Sequence, residues 1–279
     1  MVRIVILTGS ELRHRFVRKA LAASSGIDVA RSYCESLTNS LVDMVDKKPI
    51  EESAFQRAHL EARARSEEDF FASFDRLVPD RSHPVEIERG RINDDACADE
   101  VEALAPDLVV AYGCSLIKGR LLQSFARRFL NVHLGLSPYY RGSGTNFWPL
   151  VNREPEFVGA TFMHIDPGVD TGEIVHQMRA RVLPGDSPHQ IGNRLIADMV
   201  QVYAAVICNF NRLGRMPQPP VPADERVYRS RDLTEAATQK LYDNFASSLV
   251  ATYLAEREMR AKAAPIVENP AVVQWLKRS

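Results

Sequence analysis

The chain has 279 residues, 45% hydrophobic and 25% charged, a composition that suits one globular domain with an appendage. Lys and Arg number 35 against 36 for Asp and Glu, and the formal net charge of −1 argues against a protein built to hold nucleic acid. Cys34, Cys97, Cys114 and Cys208 include no close pair at zinc-ligand spacing, and no metal is expected. They read as reduced thiols of a cytoplasmic protein. The amino-terminal run lacks a signal-peptide layout. No apolar run approaches the roughly 20 residues that cross a bilayer, so no membrane insertion is expected.

Residues 2–8 form a continuous apolar run ending in Gly9-Ser10, the pattern of a buried parallel strand that feeds a helix over 11–24. A second strand is predicted over 27–33, a charged helix over 51–74, and a short strand near 85–87. Asn93, Asp94 and Asp95 suggest a cap for a helix through 104, acidic at its dipole-positive end. A buried strand at 108–112 and a helix near 121–128 lead to a strand starting at 129. Strands alternating with helices predict a parallel α/β sheet. Past that point a loop at 137–146, paired strands at 159–165 and 174–182, and a long helix opened by Ser187-Pro188 with Gln190 are expected. Pro217, Pro219, Pro220 and Pro222 make a stiff connection to one further helix over 232–262.

The chemistry concentrates at Asn131 and His133. The side-chain period of a strand is two, so these face one side while Leu130, Val132 and Leu134 face the other. Burying either polar group without a partner costs roughly 1–3 kcal/mol, so the pair needs a purpose. A loop carrying Asp170 between Gly168 and Gly172 adds a carboxylate. Imidazole handles protons near neutral pH, an amide donates to an oxyanion, and a carboxylate orients the imidazole. Together they suit acyl transfer to an amine without a Ser or Cys nucleophile. On chemistry alone, a pair of satisfied structural polar residues remains an equal reading.

Asn131-x-His133 with Leu136-x-Pro138, Tyr140-Arg141-Gly142 and Gly168-x-Asp170-Thr171-Gly172 resembles the folate-dependent formyltransferases, most closely the sugar N-formyltransferases. The resemblance runs from about 107 to 182 and departs at Gly135, where Ser is usual, and at Ser137, where Leu is usual. It implies an α/β, Rossmann-like, mostly parallel twisted sheet with helices on both faces. Residues 1–214 would form the catalytic domain and 215–279 a proline-rich connection with a helical extension. It also implies catalysis by Asn131, His133 and Asp170, with 10-formyltetrahydrofolate as co-substrate. The folate would lie along Ala111, Tyr112, Gly113, Cys114, Ser115, Leu116 and Ile117 and against Asp166 and Gly168, with Cys114 a passive wall. Tyr140, Arg141 and Gly142 would face the acceptor, Arg141 either on a phosphate or as a tether of its loop.

Other readings differ in class. Gly9-Ser10-Glu11-Leu12 lacks a dinucleotide fingerprint, which makes an NAD enzyme distant. Arg13, His14 and Arg15 read as a solvated basic helix face before an anion site. His164, Asp166 and His176 match no ligand spacing. Methionyl-tRNA formyltransferases add a β-barrel not expected here, and formyltetrahydrofolate hydrolases commonly carry a preceding domain. A small amine, nucleotide-linked in the favoured case, is the expected acceptor, on a monomer or homodimer. A folate- or nucleotide-binding module without activity is the non-enzyme alternative, and the complete triplet weighs against it.

Overall fold

The computed structural model describes residues 1–36, 54–222 and 226–278. The first three residues of the helix expected from 51 lie outside them. Strands β1 (Val2–Gly9), β2 (Ile27–Glu35), β3 (Pro84–Ile87), β4 (Leu108–Tyr112), β5 (Phe129–His133), β7 (Gly159–His164) and β8 (Ile174–Arg179) form one sheet in the order β3-β2-β1-β4-β5-β7-β8. The first five are parallel, β7 runs antiparallel to β5, and β8 antiparallel to β7. Strand order reverses between β1 and β4, the kind of point outside whose carboxyl ends α/β proteins bind ligands.

The alternation read from the sequence sorts side chains to both faces. In β1, Ile4 and Ile6 join one core while Val5 and Leu7 join the other. The first core packs helices α1 (Leu12–Ala23), α2 (Ala54–Leu77) and α6 (Pro188–Cys208); the second packs α3 (Asp95–Ala103) and α4 (Gly119–Ser124). Helix α6 opens with the expected capping box, Ser187 accepting from the Gln190 N–H and Gln190 from the Ser187 N–H. Contrary to the sequence reading, α6 has the length and hydropathy of a membrane span. Yet 67% of that window is buried inside the protein, as a core helix should be. Each large side chain it buries contributes roughly 1.5–3 kcal/mol.

Three expectations change. Asp94 makes no side-chain cap for α3, its carboxylate accepting from Arg91 Nε at 2.9 Å instead, and Asn93 in the preceding 3₁₀ turn bonds Leu116 and Lys118. The single helix over 232–262 is two, α7 (Glu235–Ala246) and α8 (Leu249–Ala263), broken at Ser248 with φ of 63°. A further helix, α9 (Pro270–Leu276), follows, capped by the Asn269 side chain. Between β5 and β7 lie β6 (Arg141–Gly142), which pairs in parallel with β9 (Val227–Tyr228), and the short helix α5 (Trp148–Val151).

Candidate active site

β5 sends Leu130 and Val132 into the core beneath α6, and Phe129 into the core beside α3 and α4. Asn131 and His133 share the face of Phe129, at the carboxyl end of the strand, with Asn131 opposite Ala111 of β4. The β7–β8 loop lays Asp170 against them. Its Oδ1 is 3.3 Å from His133 Nδ1, and its Oδ2 accepts from the Gly142 N–H at 3.1 Å. Asp170 holds φ of 52°, a left-handed conformation that costs a non-glycine residue about 1 kcal/mol or more and collects at functional sites. A carboxylate at Nδ1 keeps the proton there and leaves Nε2 as the base. That Nε2 is buried against the turn at Gly135, and among the described residues it has no hydrogen-bond partner.

The turn after the strand explains the glycine at 135. A Cβ there would lie 2.7 Å from His133 Nε2 and 2.6 Å from Thr145 Cβ, closer than atoms tolerate. Thr145 occupies the space, its hydroxyl donating to the Leu134 carbonyl. Thr161 donates to the Gly135 carbonyl at 2.6 Å and accepts from the Ser137 N–H at 3.0 Å, while Gln177 donates to the Ser137 carbonyl at 2.6 Å. Sequence reasoning missed Thr145, Thr161 and Gln177. For Thr161 and Gln177 the available signal was a polar residue inside the apolar strands at 159–164 and 174–179.

The loop after β4 is clamped from two sides. The buried Glu35 carboxylate accepts from the Ser115 N–H at 2.6 Å and the Gly90 N–H at 2.7 Å. Asn93 donates to the Leu116 carbonyl and accepts from the Lys118 N–H. Within the expected folate segment, Ala111 and Tyr112 are buried strand residues, Gly113 and Leu116 are exposed, and Cys114 and Ser115 are half-buried. Ile117 likewise turns its side chain into the core beside α3 and α4. Burial first, then the Glu35 charge, pushes the Cys114 thiol up to about 12, which removes it as a nucleophile. Asp166 folds its own loop, accepting from the Gly168 N–H at 3.0 Å and the Thr171 hydroxyl at 2.7 Å.

Of the residues expected to face an acceptor, Tyr140 is a correction. It is fully buried, its hydroxyl bonded to Glu154, Asn152 and Arg226, so its ring has no surface to offer a substrate. Arg141 and Gly142 are half-buried. Arg13, His14 and Arg15 are not a solvated face, because α2 packs across α1. Arg13 bonds Glu11 and Glu67, Arg15 bonds Asp75, and burial, with Arg13 and Arg63 nearby, drives His14 well below its ordinary value. His176 is structural, its Nδ1 accepting from the Asn269 N–H at 3.0 Å. Among the described residues no group of three His, Cys, Asp or Glu is arranged to hold a metal. A cavity of about 680 Å³ between the turn at 184–188 and helices α7 and α8 contains none of these site residues.

A family model described as formyl transferase matches residues 3–207. A methionyl-tRNA formyltransferase of Desulforamulus reducens is 36% identical over 100 residues, covering 35% of this chain and 31% of that one. One from Burkholderia ambifaria is 27% identical over 155 residues, covering 54% and 47%. The chain thus spans less than half the length of either relative. Among solved structures, a glycinamide ribonucleotide transformylase of Symbiobacterium toebii aligns with a TM-score of 0.52 at 22% identity, covering 79% of this chain and 92% of that one. A sugar N-formyltransferase from Shewanella aligns at 0.54 and 14% identity, covering 88% of each. At such identities the likeness is one of fold. The family match spans well over half the sequence and includes every residue of the Asn131, His133 and Asp170 site, and the chain belongs to the formyl transferase family.

Proposed function

We propose that this protein transfers the formyl group of 10-formyltetrahydrofolate to the amine of a small molecule, an amino-sugar nucleotide in the favoured case. The observation that carries the reading is the 3.3 Å contact of Asp170 with His133 Nδ1, on the face that presents Asn131. The folate fits the clamped loop at 113–118, where exposed Gly113 and Leu116 offer backbone and apolar surface, and exposed Val169 faces out from the Asp170 loop. The bound co-substrate supplies an activated formyl carbon.

His133 Nε2 takes the proton of the attacking amine, and Asp170 supports the imidazolium through Nδ1. Asn131 donates to the oxygen of the formyl group as it gains charge. When the bond from carbon to folate nitrogen breaks, His133 returns its proton to that nitrogen, and tetrahydrofolate and a formamide leave. No covalent enzyme adduct is required.

Arg141 is proposed to meet an acceptor phosphate, with Gly142 beside it. Two relatives bearing the methionyl-tRNA name support a second reading, the amine of a charged tRNA; the net charge of −1 weighs against it. The test is a panel of acceptors with 10-formyltetrahydrofolate: uridine- and thymidine-diphosphate amino sugars, glycinamide ribonucleotide and methionyl-tRNA. Formamide on an amino-sugar nucleotide, with kcat/KM at least about a hundredfold above the others, is the expected result. Preference for methionyl-tRNA or glycinamide ribonucleotide would overturn the acceptor assignment.

A further inference from the structure

The segment beyond the proline-rich connection returns to the catalytic site as β9. The Arg141 N–H donates to the Arg226 carbonyl at 3.0 Å, and the Ser143 N–H to the Tyr228 carbonyl at 2.8 Å. The Gly142 N–H, between the two that pair with β9, meets Asp170 Oδ2 instead, at 3.1 Å. The fit is close: Gly142 has φ of 88°, and a Cβ on it would lie 2.1 Å from the Tyr228 carbonyl oxygen. β9 is itself well seated. The Tyr228 ring stacks on Trp148 at 4.2 Å and 8°, and its hydroxyl accepts from Asn152 at 3.0 Å.

We infer that Arg226, Val227 and Tyr228 are positioning residues of the active site. Through Gly142 they fix the carboxylate of Asp170, and through Asp170 the tautomer of His133. One Asp170 oxygen faces the imidazole, the other the loop that β9 holds. Without that second anchor the carboxylate is free to rotate away from Nδ1. The inference rests on Asp170 and His133 being the catalytic pair proposed above, and it gives the carboxy-terminal extension a role in the chemistry.

The test reads the tautomer directly and needs no acceptor. Long-range ¹H–¹⁵N spectra of the full chain, labelled at histidine, are recorded at about pH 8, where an ordinary imidazole is neutral. His133→Gln identifies the signal. Wild type is expected to carry the proton on Nδ1. Gly142→Ala and Tyr228→Leu should shift His133 toward the Nε2–H form that free imidazole prefers, whereas Tyr228→Phe, which keeps the stacked ring, should retain the wild-type pattern. Binding of 5-formyltetrahydrofolate by the wild type is measured beside the spectra. A wild-type pattern in Tyr228→Leu overturns the inference, even if Gly142→Ala shifts. Variants that no longer fold would assign β9 a structural role alone and overturn it as well. Failure of the wild type to bind the folate would instead count against the proposed function and leave the tautomer result standing.

Discussion

At the scale of single residues, the site is a set of hydrogen-bonding decisions around one imidazole. Asp170 Oδ1 lies 3.3 Å from Nδ1, no described residue bonds Nε2, and Asn131 stands two residues away on the same face. Asn131→Ala should therefore lower kcat by about a hundred- to a thousandfold, the cost of losing one oxyanion donor, with the melting temperature nearly unchanged. Steady-state kinetics with the acceptor found in the panel, beside a thermal melt, checks this; wild-type kcat would contradict it. Gly135 supplies a sharper prediction. A methyl at 135 collides with both His133 Nε2 and Thr145 Cβ, so Gly135→Ala must push the imidazole or the Thr145 loop aside. A misplacement of about 1 Å can cost about a hundredfold in rate. The expected signature is a fall in kcat of at least about tenfold with the donor KM unchanged. An unaltered kcat would mean that the imidazole has room to spare.

At the scale of elements, the clamp on the loop at 113–118 is the feature that a folate would depend on. Glu35→Gln keeps the shape but offers one acceptor oxygen to two N–H groups, leaving one part-buried donor without it at a cost of about 1 kcal/mol. Affinity for 5-formyltetrahydrofolate should fall by roughly tenfold, read by calorimetry, and the acceptor KM should not move. Equal weakening of both substrates would place Glu35 in the general scaffold. Legibility in the sequence follows the range of the forces involved. The strand at 108–112, the two-residue alternation in β5 and the Ser187–Gln190 cap depend on neighbours in the chain, and all could be read. The pairing of 141–142 with 227–228 joins segments far apart, and two-residue strands leave no periodicity. Arg13 likewise looked solvated because its partner Glu67 lies on another helix. Ser248 broke a helical stripe that continues at i+4 spacing on both sides of it. The meeting of His133 and Asp170 was legible because polar groups on an apolar strand contradict their surroundings, and the resemblance to the family motif suggested their roles. Tyr140 was misassigned because the motif gives proximity to the site but says nothing about which way a ring points.

At the scale of the whole molecule, the carboxy-terminal segments stitch the sheet together. The chain at 265–269 lies along β8, with the Gln177 N–H donating to the Val267 carbonyl at 2.7 Å and the Asn269 N–H to His176 Nδ1 at 3.0 Å. An edge strand covered in this way is protected from pairing with another molecule. The same stitching makes stability sensitive to acid. Burial lowers His176 and His59 from 6.5 to about 4, and His189 to about 3, with charged neighbours adding to the shift at the latter two. The folded state therefore resists protonation that the unfolded chain accepts. These groups contribute fully above about pH 6.5, and their contribution is lost as pH falls toward 4 and below. Melting temperature should decline over that window, and His176→Gln should make the decline shallower. A flat profile between pH 6.5 and 4 would contradict the buried neutral assignment.

The central claim is that Asn131, His133 and Asp170 move a formyl group from folate to an amine. The most direct measurement follows 10-formyltetrahydrofolate carrying ¹³C in its formyl group through a single turnover, with the amino-sugar nucleotide acceptor present and absent. The account predicts one labelled formamide for each tetrahydrofolate released, dependence on the amine, and near-complete loss of both products in His133→Ala. Labelled formate appearing at the same rate with and without the amine would contradict it and identify a hydrolase.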